Sequence, residues 1–339
     1  ASFRKAENQL ETKINKLEEK KLKNINTKIV TTKTIAEIIN LKTKIPVYEL
    51  EQDDFKNILK LKKSMMSKIK GQEVAIDKLY QISKRIKLGF KEESKPVSLL
   101  FVGPTGVGKT LLVKEFSKLL VGSNNLITLD MSEYKEEHTI SKIIGSPPGY
   151  VGYSNKNTVV EEIKNKPYSV ILVDEIEKAH PSVLNLFLQI LDEGRIKDSR
   201  GNSIRLDHNI IIMTSNIGFN KNAIGFNQSD NNSIETKLKE FLSPEIMNRI
   251  DDVIIFSKLN RKNIFDIVTK KLKEVKEKFR ENNIDIHISN KVVEQIIDES
   301  KFEEYGARKI DKIIRTKVDN IIIDELLLGK KKFNIQSIY

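Results

Sequence analysis

The stretch "SLLFVGPTGVGKT", Ser98–Thr110, decides the fold. An apolar run ends at Val102, a glycine-rich loop follows, and Lys109 opens a segment with helical spacing of apolar residues. Glycines at 103, 106 and 108 let the backbone curl so that its N–H groups converge on phosphate oxygens, and the helix start adds its positive end. The flanking strand and helix make this loop a far more specific signal than a bare pattern match.

Two further buried strands end in polar residues that suit the same chemistry. "SVILVDE" ends in Asp174 and Glu175, and "IIIMTSN" ends in Asn216. We expect Lys109 to reach the β- and γ-phosphates and Asp174, with the Thr110 hydroxyl, to hold Mg²⁺. Glu175 and Asn216 are placed to polarise and orient an attacking water. Three strand ends aimed at one point predict a site that hydrolyses a nucleoside triphosphate.

Strands alternate with helices around this stretch, which predicts an α/β domain with a doubly wound parallel sheet. The predicted strands are Leu99–Val102, Leu126–Asp130, Val170–Val173 and Ile210–Thr214, and the predicted helices are about 109–120, 158–165 and 181–192. After Leu259 the pattern becomes mostly helical, at about 260–282, 290–300 and 306–328, with short strands at 284–288 and in "FNIQSI". We predict three parts: a helical segment and linker at 1–66, a large domain at 67–257 and a small domain at 258–339. In the first part, helices are predicted at 1–24, at about 52–67, and from Thr34 as N-cap.

Composition excludes several classes of site. The 339 residues carry a net charge of +12 and contain no cysteine, which rules out disulfides, thiol catalysis and thiolate metal sites. The four histidines have no ligand spacing. Lysines alternate with glutamates along helical stretches, so we expect no nucleic-acid site. No apolar run approaches the roughly 18 residues needed to span a bilayer, so we expect no membrane association. The start lacks a methionine and a signal sequence, so we expect a fragment or a processed form, soluble and intracellular.

The sequence resembles the AAA+ class, and within it the second ATPase module of the Clp ring unfoldases. The resemblance covers about 69–328 and rests on these stretches: "GPTGVGKT", "DMSEYKEEHTISKIIGSPPGYVGY", "ILVDEIEKAHPSVLNLFLQILDEGRIKDSRG", "IIMTSNIG", "LSPEIMNRIDDVIIF" and "YGARKI". It implies that "TIAEIINLKTKIPVYEL" is a linker after a missing first module, although this linker lacks the usual tryptophan and glycine.

The resemblance implies roles for individual residues. ATP would be bound by Ile69 and by the loop and helix residues Gly103, Pro104, Thr105, Gly106, Val107, Gly108, Lys109, Thr110 and Leu111, and Mg²⁺ by Thr110 and Asp174. Catalytic groups would be Glu175, Asn216, Arg249 reaching into a neighbouring subunit, and Arg308 acting in its own. Lys70 departs from the apolar residue usual beside Ile69. An arginine donated between subunits implies a ring or a filament, and the family forms hexamers. The resemblance also implies a hinge near 257–260.

The resemblance also assigns the loop "SPPGYVGYS", which on its residues alone is either a surface turn or an aromatic grip. Tyr150 and Val151 would line a central pore and hold unfolded or tagged protein substrates. "KDSRGN" is either a second pore loop or a solvated hairpin turn. Ile224, Gly225 and Phe226 would dock on a barrel-shaped Clp-type peptidase, which favours the ClpC/ClpA protease-associated type.

Alternative functions stay open at this point. They are a ClpB-like disaggregase, a Clp-like scaffold or adaptor subunit with weak turnover, and a nucleic-acid-remodelling AAA+ protein, against which the pore tyrosine argues. The expected location is the stroma of a plastid-type organelle or the bacterial cytoplasm.

Overall fold

The computed structural model of the protein describes residues 13, 30–31, 34–35, 37–38, 54–90, 94–146, 158–219, 231–281 and 283–339. The chain divides into two compact units, Ala1–Glu51 and Gln52–Tyr339. In the first unit, the predicted N-cap at Thr34 is wrong, because Thr34 is already helical and its N–H donates to Thr31 Oγ1 at 3.2 Å. None of the helices that the structure describes is both long and apolar enough to cross a membrane.

The second unit is built on a parallel sheet. Its strands are β1 (Val97–Val102), β2 (Leu126–Asp130), β3 (Val170–Asp174), β4 (Arg195–Lys197), β5 (Ser203–Arg205), β6 (Ile210–Ser215), β7 (Asp252–Ile255), β8 (Asp285–Ile288) and β9 (Lys332–Ile335). Five of them form the sheet in the order β2-β3-β6-β1-β7, and each of its neighbouring pairs runs parallel. The carboxyl ends of β1, β3 and β6 therefore lie side by side at one edge of the sheet.

The helices of the second unit fall into two groups: those up to residue 247 cover both faces of this sheet, and those from residue 261 onward belong to the C-terminal part of the chain. They are α1 (Asp54–Lys68), α2 (Glu73–Lys87), α3 (Lys109–Leu120), α4 (Ile140–Ile144), α5 (Val159–Asn165), α6 (Pro181–Glu193), α7 (Asn231–Phe241), α8 (Pro244–Met247), α9 (Arg261–Arg280), α10 (Asn290–Ser300), α11 (Phe302–Tyr305), α12 (Ile310–Ile313) and α13 (Asp319–Leu327). Because side chains alternate along a strand, β1 places Leu99 and Phe101 in one core and Leu100 and Val102 in another. The first of these cores continues into the C-terminal segment, residues 258–339.

The C-terminal segment begins with a well-capped helix. The Asn260 side chain accepts from the N–H of Asn263, and the Asn263 side chain accepts from the N–H of Asn260, which closes a capping box at the start of α9. β8 and β9 then pair in parallel, so the predicted closing strand is confirmed. Ser257, just before this helix, is fixed by Gln72, whose amide both accepts from its N–H and donates to its carbonyl.

The predicted continuous helix at 306–328 is wrong. Gly306 has φ 56° and ψ −141°, a conformation open mainly to glycine, and it ends α11. The chain turns at 307–309 before α12, and a π-helical turn, Ile314–Val318, connects α12 to α13. The break puts residues 305–307 against the glycine-rich loop, as described below. The prediction also missed α2, although Ala75, Ile76 and Leu79 are buried at helical spacing.

Candidate nucleotide-binding site

The loop between β1 and α3 has the backbone that the sequence predicts. Gly106 and Gly108 have φ of 75° and 104°, and Gly108 is the residue from which α3 starts. A Cβ at Gly103 would stand 2.7 Å from the Cβ of Phe256, so this position is closed to larger residues by packing rather than by φ. The loop thus curls tightly over the amino end of a 12-residue helix, a site suited to anions.

Lys109 lies under this loop. Its side chain is 7% exposed, and its Nζ donates to the carbonyls of Gly103 and Pro104, at 2.6 and 2.9 Å, and to Asn216 Oδ1 at 2.7 Å. Burial lowers the pKa of Lys109 to about 8, while the negative charges of Glu177 and Asp174 act in the opposite direction. The loop carbonyls hold the ammonium where phosphate oxygens would be bound.

The carboxylate of Asp174 stands at the end of β3, facing the start of α3. Thr110 Oγ1 lies 3.2 Å from both of its oxygens, and Thr214 Oγ1 donates to Asp174 Oδ1 at 2.5 Å. A hydroxyl and a carboxylate at this separation are oxygen ligands of the kind that Mg²⁺ takes beside substrate phosphates. The sequence paired Thr110 with Asp174, and the structure brings them together.

Glu175 is held in a conformation unusual for its residue type. It has φ 58° and ψ 56°, in the left-handed region, and its N–H donates to Thr214 Oγ1 at 3.0 Å. Its carboxylate accepts from Lys178 Nζ and, at 3.4 Å, from Asn216 Nδ2. Arg308 of the C-terminal segment comes within 3.9 Å of the same carboxylate. The backbone turn thus points the carboxylate into the space beside Lys109 and Asn216.

These groups line one cavity of about 620 Å³. The predicted residues on its wall are Ile69, Thr105, Gly106, Val107, Gly108, Lys109, Thr110, Leu111, Asp174, Glu175, Asn216 and Arg308. The wall also includes the apolar residues Leu259 and Ile267 and the charged residues Lys68, Lys270 and Glu274. Gly103 and Pro104 are not part of the wall, and their carbonyls accept hydrogen bonds from Lys109. The cavity has a volume suited to a nucleotide-sized ligand and is lined by both apolar and charged side chains.

Arg249 does not join this cavity. Its Nε donates to Asp192 Oδ1 at 2.8 Å, which lowers the pKa of that carboxyl, and both side chains are exposed. It lines a separate cavity of about 270 Å³ with Phe90 and Lys95. Among the predicted catalytic residues, Arg249 is therefore the one that the structure does not bring to the cavity at the strand ends.

Two predicted elements lie outside the described residues: the pore residues Tyr150 and Val151, and the docking tripeptide Ile224–Phe226. The "KDSRGN" stretch is described and is a hairpin turn between β4 and β5. There Asp198 Oδ1 accepts from the N–H groups of Arg200 and Asn202, at 2.9 and 2.7 Å.

Sequence reasoning missed Thr214 and Gln72. Thr214 stands two residues before Asn216 in "IIIMTSN", so the alternation of a strand end could have indicated it. Gln72 Nε2 contacts the carbonyls of Val107 and Ser257, at 3.3 and 2.9 Å, and thereby ties the loop to the predicted hinge. Gln72 stands two residues after Lys70, and its local sequence gives no signal for this role.

The sheet order, the glycine-rich loop and the converging strand ends define the P-loop class of nucleotide-binding proteins. A family model described as "AAA domain (Cdc48 subfamily)" matches residues 94–253, and one described as "C-terminal, D2-small domain, of ClpB protein" matches residues 259–338. The chain therefore belongs to the Clp group of the AAA+ family, and its second unit corresponds to the second ATPase module.

Individual relatives agree with this assignment. The chain is 38% identical to the ATP-dependent Clp protease ATP-binding subunit ClpE of Streptococcus pneumoniae, over 96% of this chain and 44% of that protein. It is 36% identical to a ClpA homolog of Porphyra purpurea, over 91% of this chain and 40% of the relative. Among solved structures, Hsp104 with ATPyS and FITC casein matches with a TM-score of 0.78 and 33% identity, over 89% of this chain and 54% of that one. The chain thus spans less than half the length of these two curated relatives.

Proposed function

We propose that this chain is an ATP-dependent protein unfoldase that uses Mg·ATP to thread polypeptides through the pore of a ring. The observation that carries the proposal is the single cavity in which the glycine-rich loop, three strand ends and Arg308 of the C-terminal segment meet. A site that spans two parts of the chain couples the state of the nucleotide to their relative position. We propose accordingly that 67–257 and 258–339 act as a large and a small domain with a hinge near 257–260.

The residues present fit a bound Mg·ATP. The apolar side chains of Ile69, Leu259 and Ile267 on the wall suit a base, and the loop with Lys109 suits the phosphates. Thr110 and Asp174 would hold Mg²⁺, which when bound offsets charge on the phosphate oxygens. Glu175 would take the proton of the attacking water, Asn216 would orient that water, and Arg308 would stabilise negative charge at the γ-phosphate.

Arg249 supports an assembly in which subunits share their sites. It lies outside the cavity at the strand ends, and its guanidinium pairs with the exposed carboxylate of Asp192; exposed pairs of this kind contribute little to stability. Arg249 can therefore exchange Asp192 for a triphosphate of the next subunit at small cost. We propose a homo-oligomeric ring, hexameric as in the family.

Threading is proposed to depend on the pore loop. Tyr150 and Val151 would grip an extended polypeptide by apolar contact that does not depend on its sequence. The Hsp104 structure matched above contains casein, a protein ligand. The experiment is ATP-driven unfolding of a tagged, folded fluorescent protein by the wild type and by Tyr150→Ala. We expect Tyr150→Ala to hydrolyse ATP but not to unfold the substrate; equal unfolding by both would contradict the assignment.

We further propose that the unfolded chain is passed to a Clp-type peptidase through Ile224–Phe226. Relatives named as Clp protease subunits support this, and the match to the ClpB C-terminal domain favours disaggregation as the second candidate. Deleting Ile224–Phe226 should abolish stimulation of an added peptidase and leave ATP hydrolysis intact. Degradation unaffected by the deletion would contradict docking through Ile224–Phe226, whereas a wild type that never stimulates the peptidase would favour the disaggregase. The relatives from Streptococcus and Porphyra leave bacterial cytoplasm and plastid-type stroma as proposed locations.

A further inference from the structure

Glu177 does not line the cavity but makes a hydrogen bond to Asn216, which does. No catalytic role has been given to Glu177 so far. Glu177 belongs to a short 3-10 helix of one turn, Ile176–Lys178, that follows β3. Its Oε1 accepts from the N–H of Asn216 at 3.0 Å. Ile176 beside it is 1% exposed and packs in the core. The N–H of Lys178 donates to the carbonyl of Glu175 at 2.9 Å. Glu177 therefore extends from a turn that is fixed at both ends.

The contact occurs where the sheet stops supporting Asn216. β6 ends at Ser215; its pairing with β3 ends at Met213 and its pairing with β1 ends at Ser215. The N–H of Asn216 thus lies one residue beyond the ladder, and Glu177 supplies its acceptor. A donor at this half-buried position would otherwise carry the cost of desolvation without a hydrogen bond.

The side chain of Asn216 connects two groups of the site. Its Oδ1 accepts from Lys109 Nζ at 2.7 Å, and its Nδ2 donates to Glu175 Oε1 at 3.4 Å. These two bonds require one orientation of the amide plane, which depends on the backbone position that Glu177 fixes. The second oxygen of Glu177, Oε2, is buried and makes no hydrogen bond to any described residue. Of the two carboxylate oxygens of Glu177, only Oε1 makes a hydrogen bond within the described part of the chain, and its donor is the N–H of Asn216.

We infer that Glu177 is a positioning residue for ATP hydrolysis, holding the backbone of Asn216 so that its amide bridges Lys109 and Glu175. The inference rests on the proposed ATPase function and adds to it a residue outside the cavity lining. The negative charge of Glu177 also faces the ammonium of Lys109 in a partly dry site. The feature that distinguishes Glu177 from Asp174 and Glu175 is its hydrogen bond to the backbone N–H of Asn216.

The test compares Glu177→Ala with Glu177→Gln, whose amide oxygen can still accept from Asn216. We expect Glu177→Ala to lower kcat for ATP hydrolysis about tenfold or more while the Kd for ADP stays within about threefold, and Glu177→Gln to keep about a third or more of kcat. Glu162→Gln, which removes a surface carboxylate paired with Lys166, is the matched control and should match the wild type.

A double-mutant cycle with Asn216→Ala separates positioning from general loss of structure. If Glu177 acts through Asn216, adding Glu177→Ala to Asn216→Ala should lower kcat by less than about twofold. Should Glu177→Ala fail to fold in a thermal melt, Glu177→Asp, which withdraws the carboxylate, takes its place in the cycle. The inference is overturned if the losses in kcat of Glu177→Ala and Asn216→Ala multiply in the double variant. It is also overturned if Glu177→Gln is as slow as Glu177→Ala. Absence of turnover in the wild type overturns the proposed function itself, whereas turnover insensitive to Glu177 overturns this inference alone.

Discussion

Gly106 of the glycine-rich loop and Gly306 of the C-terminal segment meet backbone to backbone. A Cβ built on Gly306 would lie 2.7 Å from the carbonyl carbon and oxygen of Gly106, and one on Gly106 would lie 2.3 Å from the carbonyl oxygen of Tyr305. The N–H of Ala307 donates to the Gly106 carbonyl at 3.0 Å. The glycine-rich loop and the turn that carries Arg308 are therefore in direct backbone contact.

This contact predicts that alanine destabilises the protein more at Gly306 than at Gly329, a glycine without such a contact. Gly306→Ala should lower the free energy of unfolding by about 3 kcal/mol, through backbone strain and overlap, and should weaken ADP binding. Gly329→Ala is the control, because Gly329 also has positive φ, 76°, but has no atom within 4 Å of a Cβ. Gly329→Ala should lower the free energy of unfolding by about 1 kcal/mol and leave ADP binding unchanged. Thermal melts and titrations with a fluorescent ADP measure both; equal effects would show that the contact is dispensable.

The pKa of Lys109 predicts a pH limit on nucleotide binding. Burial brings this pKa from 10.5 to about 8, so in the free protein the ammonium is lost as pH rises above about 8. Phosphates bind the protonated form. ADP affinity should therefore be flat from pH 6.5 to 7.5 and fall above pH 8, approaching about tenfold per pH unit. Direct titrations between pH 6.5 and 9.5 provide the test, and an affinity constant up to pH 9.5 would be incompatible with it.

The position of Arg249 predicts complementation between subunits. Arg249→Ala and Lys109→Ala should each be inactive alone, because one lacks the donated arginine and the other lacks nucleotide binding. Mixed assemblies should regain ATP hydrolysis, since a Lys109→Ala subunit can still offer its Arg249 to a neighbour that binds ATP. Arg261→Ala, which removes an arginine bound to Glu294 and Asp298, is the control and should retain activity. If mixtures of Arg249→Ala and Lys109→Ala are as inactive as each variant alone, a site shared between subunits is excluded.

Much of the fold follows from local pattern. Interior parallel strands are continuous apolar runs, and β3 and β6 were placed to within one residue at their ends. β7 was missed because it is a short edge strand with a polar first residue, Asp252. The helix predicted at 306–328 failed because nothing in its spacing reveals the backbone contact that Gly306 makes with Gly106.

The candidate site was predictable where the local sequence puts a polar residue at the end of a buried strand, as for Asp174 and Asn216, or at the start of the helix after the glycine-rich loop, as for Lys109. It was not predictable where the role depends on a partner far along the chain. Gln72 and Ser257, or Glu177 and Asn216, meet only after folding, and their local sequences are compatible with ordinary surface positions. The roles of Tyr150 and of Ile224–Phe226 stay predictions from sequence.

The proposed unfoldase activity depends on hydrolysis of ATP in the cavity at the strand ends, with Glu175 as the group that activates water. The most direct measurement is phosphate release from Mg·ATP by the wild type and by Glu175→Gln, together with the affinity of each for ATP. We expect the Gln variant to bind ATP as tightly as the wild type and to lose about 100-fold or more in kcat. A Gln variant that releases phosphate at the wild-type rate would contradict the account.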